Sequence, residues 1–150
     1  MISVSHVPPE GVRQAASYSA ANRRGKQRSS MAEEVTRPWG GFQTPAFLPN
    51  VGAIKLLRVD PSQRLSLQRH AERSEHWVVL VGEVVATVDG VERLLRRGEH
   101  LEVPRDAWHR LANASDSVTA VLAEVQVGEY ATATAAEEDI ERSQDDYGRA

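Results

Sequence analysis

The sequence predicts an all-β protein, an antiparallel barrel or jelly roll that ends in one short C-terminal helix. From Ile54 onward, apolar and polar residues alternate with a period of two in short runs rich in Val and Leu, which is typical of strands with one buried face. Turn-forming residues separate these runs, and among them Asp89-Gly90 favours a two-residue hairpin. After Gly128 the sequence becomes rich in Ala and Glu.

The predicted strands follow one another at short intervals. Upstream of them, RPWG (37–40) is interpreted as a rigid turn that leads an edge strand into the barrel. Downstream, TAAEEDIERSQDDYG (134–148) is predicted to form one helix, with Thr134 as its N-cap and Gly148 as its stop. The predicted strand runs are AIKLLRV (53–59), RLSLQRH (64–70), EHWVVLV (75–81), EVVATVD (83–89), VERLLRR (91–97), EHLEVP (99–104), WHRLANA (108–114) and VTAVLAEVQ (118–126).

Composition bounds the domain organisation and the kinds of partner. The chain has 150 residues, enough for one domain with its own core, which we expect over residues 35–150. Residues 1–34 are rich in Ser, Ala and Arg and are predicted to form a disordered basic tail. Beyond residue 30, 13 basic and 20 acidic residues give a net charge of −7, which argues against nucleic-acid binding by this part of the chain.

The absence of certain sequence features excludes other classes. The chain has no Cys, so it has neither disulfides nor a thiolate metal site. It contains no apolar stretch long enough to span a membrane and no secretory signal pattern. We therefore expect a cytoplasmic protein that does not bind membranes.

One predicted strand carries an unusual set of polar residues. In LSLQRHAERSEHWVVLVG (65–82), alternation puts Ser66, Gln68 and His70 on one face, and Glu72 joins them if the strand continues. The apolar face is expected to pack against the sheet, so the polar face looks into the barrel. Buried imidazole and carboxylate groups are costly unless they are paired or bind a metal. The run therefore predicts a functional site.

Two spacings resemble the sequence motifs of the cupin superfamily of small β-barrels. In the first, Glu75 is followed by six residues and Gly82. The second reads G-x5-P-x-D-x2-H-x3-N from Gly98 to Asn113, with Asp106 where the family has Gly, and 15 residues separate the two motifs. The resemblance implies an RmlC-like cupin fold in which two motifs supply His and Glu ligands to one metal ion.

The cupin resemblance also implies a ligand set. One divalent ion (Zn, Mn, Co or Fe) would be held by His70, Glu75 and His109, with Gln68 or Glu72 completing its ligands. Two adjacent strands would supply His70 and Glu75, and a third strand from across the barrel would supply His109. Two imidazoles and one carboxylate leave coordination positions open, as in catalytic metal sites.

A longer series of motifs resembles the cupin domain of type II phosphomannose isomerases. The matching stretches are RPWG (37–40), LSLQ-x-H (65–70), R-x-EHWVV (73–79), P-x4-HRL-x-N (104–113), EVQ-x-GEY (124–130) and D-x-YGR (145–149). The resemblance implies a mannose-6-phosphate isomerase of GDP-mannose biosynthesis that acts through a cis-enediol. In that family the domain usually follows a mannose-1-phosphate guanylyltransferase domain. These 150 residues contain no Gly-rich nucleotide loop, so we expect a stand-alone isomerase with a separate guanylyltransferase as a candidate partner.

The resemblance implies roles for the other candidates. Lys55 and Arg73 would stabilise the enediolate or hold the phosphate, and His76 or Glu72 would be the catalytic base. Trp77 either contacts the sugar or fills the core and walls the pocket. The remaining candidates for contact with the sugar phosphate are Ser66, Arg142 and Arg149.

Glu72 departs from the family pattern Q-x-H-x-H-R-x-E-H-W, which has a second His at this position. Glu72 either ligates the metal in its own way or marks a chain that has lost catalysis. Two alternatives therefore stay open: a non-catalytic cupin that binds a sugar phosphate or nucleotide sugar, and an oxygen-activating cupin, since this ligand set also suits iron(II) oxygenases. A homodimer is compatible with the edge strands of a small barrel, although no residue pattern specifies one.

Overall fold

The computed structural model describes residues 32–149, which contain eleven strands and one short helix. The predicted tail lies outside the described residues except for its last three positions, so the boundary near residue 35 stays a prediction. The helix α1 spans Ala133–Glu138. The strands are β1 (Val35–Arg37), β2 (Gly40–Leu48), β3 (Gly52–Val59), β4 (Leu67–Arg69), β5 (Arg73–Val81), β6 (Glu83–Val88), β7 (Val91–Arg96), β8 (His100–Val103), β9 (His109–Asn113), β10 (Ala120–Gly128) and β11 (Glu141–Gln144).

The strands form two antiparallel sheets. The larger sheet has the order β1-β2-β3-β10-β5-β8, and the smaller has the order β11-β4-β9-β6-β7. The eight runs predicted from residue 53 onward correspond to β3 through β10. The all-β prediction is therefore confirmed. No helix among residues 32–149 has the length and apolar character needed to cross a membrane.

The predicted hairpin joins β6 and β7. Val88 pairs with Val91, and the two residues between them, Asp89 and Gly90, have φ angles of 47° and 79°. Positive φ at both central positions is the geometry that matches the right-handed twist of the flanking strands, and Asp-Gly is among the pairs that adopt it most readily. This short sequence signal therefore sets the register of the pair.

Strand β2 follows the RPWG turn, and β1 pairs with only its first three residues, so the rest of β2 lies at an edge of the larger sheet. Its sequence, GGFQTPAFL, begins with two Gly and contains Pro45, which weaken the alternation that marks a strand. The register against β3 shifts between Gln43 and Ala46, and this irregularity accommodates Pro45. The chain thus forms a strand that its local sequence signals only weakly.

The predicted 134–148 helix is wrong in extent and in its cap. Helix α1 ends at Glu138, and the hydroxyl of Thr132, rather than Thr134, accepts a hydrogen bond from the N–H of Ala135. The following residues form β11, which pairs with β4. Pairing with an open sheet edge satisfies backbone groups of both strands, and this tertiary gain outweighs the weak local preference for helix.

Inward-facing residues change from apolar to polar along the central strands. On β10 the buried residue Leu122 is followed on the same face by Glu124 and Gln126, and on β5 Val79 gives way to Glu75. The apolar end contains the hydrophobic core between the sheets, which includes Leu57, Val59, Trp77, Val79, Val84, Leu111 and Leu122. The opposite end of the barrel interior is polar and contains the candidate site.

Candidate metal centre

His70, Glu75 and His109 lie together at the polar end of the barrel. One nitrogen or oxygen of each residue lies within 4.8 Å of the corresponding atoms of the other two. Each of the three side chains is at most 2% exposed. His70 directly follows β4, Glu75 lies on β5, and His109 begins β9. The structure therefore brings together the three residues at the centre of the predicted ligand set.

The strands that supply these residues differ from the expected arrangement. β4 pairs with β9, with Gln68 opposite His109, so the two histidines come from neighbouring strands of one sheet. Glu75 comes from β5 in the other sheet. The expectation that His70 and Glu75 lie on adjacent strands is wrong, because the turn between β4 and β5 carries the chain from one sheet to the other.

Both imidazole rings are fixed by backbone carbonyl groups. Nδ1 of His109 donates to the carbonyl oxygen of Ala107 at 2.9 Å, and Nδ1 of His70 donates to that of Asp139 at 2.5 Å. A carbonyl only accepts, so each Nδ1 carries the hydrogen and each Nε2 keeps its lone pair. The Nε2 atoms lie 3.2 Å (His70) and 3.7 Å (His109) from carboxylate oxygens of Glu75.

The donor set fits a divalent metal ion. Nε2 of His109 is buried without a hydrogen-bond partner, and a buried nitrogen with a free lone pair aimed at a carboxylate is the arrangement that a metal ion would satisfy. Two imidazoles and one carboxylate match the preferences of Zn and of Mn, Co or Fe. Burial lowers the pKa of His109 despite the nearby charge of Glu75, which keeps the ring neutral, as a ligand must be.

Arg73 balances the charge of the buried carboxylate. Its Nε donates to Glu75 at 2.9 Å, and its two terminal nitrogens lie 2.5 Å from the carbonyl oxygen of Ala136 and 3.0 Å from Nε2 of His70. Burial alone would raise the pKa of Glu75, but the positive charge of Arg73 holds that pKa well below its usual range. Glu75 is therefore ionised in the folded protein.

The segment after α1 fixes the turn that carries His70. The carboxylate of Asp139 accepts hydrogen bonds from the backbone N–H groups of Ala71 and Glu72 at 3.0 and 3.1 Å. The hydroxyl of Tyr130 donates to the same carboxylate. Asp139 thus holds this turn through its side chain and the His70 ring through its carbonyl group. The sequence analysis did not single out this residue.

A cleft leads to Glu75 and carries more positive than negative side chains. Five basic residues line it, against the carboxylates of Glu75, Glu124 and Glu137. Lys55 forms an ion pair with Glu137. The basic residues are Arg37, Lys55, Arg73, Arg142 and Arg149. An excess of cations around an open cleft favours an anionic ligand.

Three of these arginines lie near one another at the cleft. Nε of Arg142 is buried without a hydrogen-bond partner. Burial and the positive charges of Arg149 and Arg37 lower the pKa of Arg142, although Asp145 acts in the opposite direction. Arg149 is paired with Asp145 at 2.5 Å. The charge of Arg37 and Arg142 is thus left without an ion pair among residues 32–149.

Five of the other predicted site residues line this cleft: Lys55, Gln68, Arg73, Arg142 and Arg149. Gln68 lies opposite His109 on the neighbouring strand, and its side-chain oxygen accepts a hydrogen bond from the hydroxyl of Ser66 at 2.8 Å. Ser66 is buried behind Gln68 and does not line the cleft.

Two residues predicted to act as a base lie elsewhere. His76 is exposed on the outer face of β5, because side chains alternate along a strand and its neighbour Glu75 points inward. Glu72 is exposed in the turn after β4, which ends at Arg69 and so does not extend the polar face to residue 72. The structure therefore does not bring either residue to the cleft, and their roles stay predictions.

Trp77 belongs to the core and the wall of the site. It is 2% exposed, and its ring meets that of His109 at an edge with the centroids 5.6 Å apart. Its indole N–H lies 3.2 Å from a carboxylate oxygen of Glu75 and 3.2 Å from one of Glu124. The alternative in which Trp77 fills the core and walls the pocket matches this position, and stacking on a sugar does not.

Four further polar residues that line the cleft were not assigned a role from the sequence: Arg37, Glu124, Gln126 and Glu137. Glu124 and Gln126 occupy inward positions of β10 after Leu122. Polar residues on the buried face of the last predicted strand could therefore have identified them as candidate site residues. Arg37 lies in the RPWG stretch, which was interpreted as a turn, and it lines the cleft.

Comparison with known proteins places the chain in a family. The family model described as "Mannose-6-phosphate isomerase C-terminal" matches residues 24–145. The chain belongs to this mannose-6-phosphate isomerase C-terminal family. It is 39% identical over 116 residues to the alginate biosynthesis protein AlgA of Pseudomonas aeruginosa, covering 77% of this chain and 23% of that protein. It is 35% identical over 128 residues to the mannose-1-phosphate guanylyltransferase ManC of Salmonella typhimurium, covering 83% and 25%.

The chain spans about a quarter of the length of these curated relatives. Solved structures show that its fold is that of a cupin. The capsular polysaccharide assembling protein CapF of Staphylococcus aureus aligns with a TM-score of 0.63 at 16% identity, covering 75% of this chain and 34% of that one. An RmlC-like cupin of Shewanella frigidimarina aligns with a TM-score of 0.57 at 16% identity, covering 70% and 88%. The predicted cupin fold is confirmed.

Proposed function

We propose that this chain is a metal-dependent aldose–ketose isomerase that interconverts mannose 6-phosphate and fructose 6-phosphate through a cis-enediol. One observation carries the proposal: the buried cluster of His70, Glu75 and His109 lies beside a cleft with an excess of basic side chains. A sugar phosphate has an anionic end and a carbonyl end. The cleft offers cations for the first and a metal-binding cluster for the second.

A divalent ion held by the cluster would polarise the sugar carbonyl and the adjacent hydroxyl. The chain's own residues orient the cluster. Arg73 donates N–H groups to Glu75 and to the carbonyl oxygen of Ala136, and its third contact, with Nε2 of His70, would give way when that nitrogen binds a metal ion. Its role is therefore to hold the ligands in place and to balance their charge, rather than to grip phosphate.

The phosphate would be held by arginines at the cleft. Arg37 and Arg142 have no carboxylate partner among the described residues, and Arg149 lies near Arg142. The planar guanidinium group presents N–H donors that match phosphate oxygens in pairs. Lys55, buried and over the ring of Phe42 at 4.4 Å, lies deeper and would face the developing negative charge on the sugar oxygen.

An oxygen-activating function would explain the ligand set but not the basic residues of the cleft. A two-histidine, one-carboxylate centre suits iron(II) oxygenases as well. The basic cleft residues supply no chemistry for oxygen activation, whereas an anionic substrate needs them. The guanylyltransferase named for ManC belongs to a protein about three times as long, and we do not assign that activity to this chain.

A binding module without catalysis is the second candidate. It is favoured by Glu72, which stands where type II phosphomannose isomerases have a second His and whose side chain is exposed. Such a module would bind a sugar phosphate or a nucleotide sugar at the same cleft and leave it unchanged. A separate guanylyltransferase would be its natural partner.

The test is isomerisation of mannose 6-phosphate by purified protein that has been stripped of metal and resupplied with Zn, Mn, Co or Fe(II). The expected result is metal-dependent formation of fructose 6-phosphate. His109→Ala should abolish both turnover and metal retention. His100→Ala is the matched control, because His100 is exposed on β8, and it should leave both unchanged.

The outcome separates the candidates. Turnover by the native protein that is lost in His109→Ala supports the isomerase. Tight binding of mannose 6-phosphate by calorimetry with no turnover under any metal supports the binding module. Turnover that appears only after Glu72→His would identify a catalytic scaffold disabled by one substitution.

A further inference from the structure

Glu124 is a buried carboxylate at the site to which the proposed reaction has so far given no role. It lies on β10, is 5% exposed and faces the cleft. The strand register places it between Lys55 of β3 and Trp77 of β5. It is therefore at the centre of the sheet that forms one wall of the site, next to the metal-binding cluster but not part of it.

The carboxylate of Glu124 is held by two neutral donors. One oxygen accepts from the indole N–H of Trp77 at 3.2 Å, and the other accepts from the side-chain amide of Gln126 at 2.7 Å. The same indole N–H lies 3.2 Å from Glu75. No ion pair involves Glu124 in the part of the chain that the structure describes, since Lys55 pairs with Glu137. A buried carboxylate without an ion pair costs folding free energy, and such groups are concentrated at functional sites.

The two neighbouring carboxylates have opposite environments. Glu75 is surrounded by His70, His109 and Arg73, and its pKa lies well below the usual range because the charge of Arg73 outweighs its burial. Burial and the negative charge of Glu75 raise the pKa of Glu124 to about 7.

The charged groups around Glu124 come from β3, β5 and α1. Lys55 of β3 and Arg73 of β5 lower its pKa, but they do not cancel the effects of burial and of Glu75 on β5. Glu137 of α1 acts on this set through its ion pair with Lys55.

Other candidates for proton transfer are unsuitable by position. His76 lies on the outer face of β5, and Glu72 is exposed in the turn after β4. Glu75 is committed to the histidines and Arg73. Glu137 is half exposed and paired with Lys55. Glu124 is the remaining carboxylate among the described residues that line the cleft.

The geometry points to Glu124 as the group that moves a proton between C1 and C2 of the sugar phosphate, an assignment that rests on the proposed function. The carboxylate takes the proton from C2 of the open-chain aldose. The electron pair of that C–H bond forms the C1=C2 double bond, and the C1 carbonyl oxygen takes the negative charge. The carboxylic acid then returns the proton to C1, while the O2 hydroxyl proton passes to O1 and leaves a carbonyl at C2. No oxidant or reductant is consumed.

The test compares Glu124→Gln with the native protein, both loaded with the most active metal. We expect kcat to fall at least about 100-fold, the size of a general acid–base contribution. The dissociation constant for mannitol 6-phosphate, an open-chain analogue without a carbonyl, should stay within about threefold of the native value, since general-base catalysis acts on the transition state rather than on binding. In ²H₂O the native protein should introduce deuterium at C1 or C2, and the variant should not. Glu102→Gln, an acid-to-amide change on the exposed face of β8, is the matched control and should leave all these values unchanged.

The outcomes are distinct. Loss of turnover and exchange with retained analogue binding and metal content supports the assignment. An active native protein with an equally active Glu124→Gln variant overturns the assignment alone, as does equal loss of turnover and analogue binding. A native protein that isomerises neither sugar phosphate with any metal overturns the proposed function and this assignment together. If Glu124→Gln does not fold, Glu124→Asp replaces it in the test, because Asp keeps the carboxylate on a side chain that is shorter by one methylene group. We expect reduced kcat with retained analogue binding, and unchanged kcat would overturn the assignment.

Discussion

His70 and Asp139 are 69 positions apart in the chain, yet Nδ1 of His70 donates to the carbonyl oxygen of Asp139 at 2.5 Å. The carboxylate of the same Asp139 holds the two backbone N–H groups that follow His70. One residue therefore fixes both the ring orientation of His70 and the turn in which it lies. The segment after α1 is part of the site, although it supplies none of the clustered ligand atoms.

We predict that Asp139→Asn weakens metal binding by about 10- to 100-fold, the usual cost of losing support behind a metal ligand. An amide offers one acceptor oxygen where the carboxylate offers two, so Ala71 or Glu72 loses its partner. The free energy of unfolding should fall by about 1–3 kcal/mol. Metal affinity is measured by competition with a chelating dye, and stability by denaturant unfolding of the metal-free protein.

Asp116→Asn is the control for this prediction, because Asp116 is exposed in the loop before β10. It should change neither quantity. A metal affinity for Asp139→Asn within twofold of the native value would show that the turn keeps its shape without the carboxylate.

Asp106 gives a second prediction, on stability. Its φ is 61°, in the left-handed region, and its N–H donates to the carbonyl oxygen of His70 at 2.8 Å. This is the position where cupins have Gly, and Asp is among the few other residues that tolerate such a φ. Asp106→Gly should therefore stay within about 1 kcal/mol of the native unfolding free energy. Asp106→Val should lose roughly 1–3 kcal/mol, because a β-branched side chain is strained there. Equal stability of the two variants in denaturant unfolding would contradict this account.

The sequence specified most of the fold because strands of this barrel alternate cleanly. The Asp89-Gly90 hairpin and the runs from residue 53 to 126 each contain a local signal that agrees with the final structure. The signal is weaker at both ends of the described chain. Pro45 interrupts β2, and the Ala- and Glu-rich stretch near residue 135 resembles a longer helix. Only pairing with another strand determines that residues 141–144 are extended.

The candidate site was predictable to the extent that it depends on motif spacing. His70, Glu75 and His109 were identified in this way, and the structure brings them together. Motif spacing does not show where a strand ends. Glu72 was therefore predicted to lie on the polar face of β4, although β4 ends at Arg69. Motif spacing also gives no information on contacts between distant segments, such as that of Asp139 with His70.

The arginines at the cleft give a third prediction. Arg142→Ala should weaken the binding of inorganic phosphate at least tenfold, because paired guanidinium–phosphate contacts are among the strongest hydrogen bonds in proteins. It should not lower the melting temperature, since Nε of Arg142 has no hydrogen-bond partner and its charged neighbours include Arg149 and Arg37. Calorimetry at low salt measures the affinity. Arg97→Ala, an exposed site after β7, is the control. Unchanged phosphate binding in Arg142→Ala would place the anion elsewhere.

The last prediction concerns stability of the metal-free protein as a function of pH. Burial and the charge of Glu75 raise the pKa of Glu124 from 4.5 to about 7. Between these values the folded protein holds a proton that the unfolded chain has released, so this carboxyl group lowers stability as pH rises through that window. The amide of Glu124→Gln does not ionise, so the stability of this variant lacks this pH dependence. Its melting temperature relative to the native protein should therefore rise between pH 5 and pH 8, whereas the difference for Glu102→Gln, exposed on β8, should stay constant. A relative melting temperature of Glu124→Gln that is flat or falls over this range would show that Glu124 is already ionised at pH 5, and it would remove the main electrostatic support for its role in proton transfer.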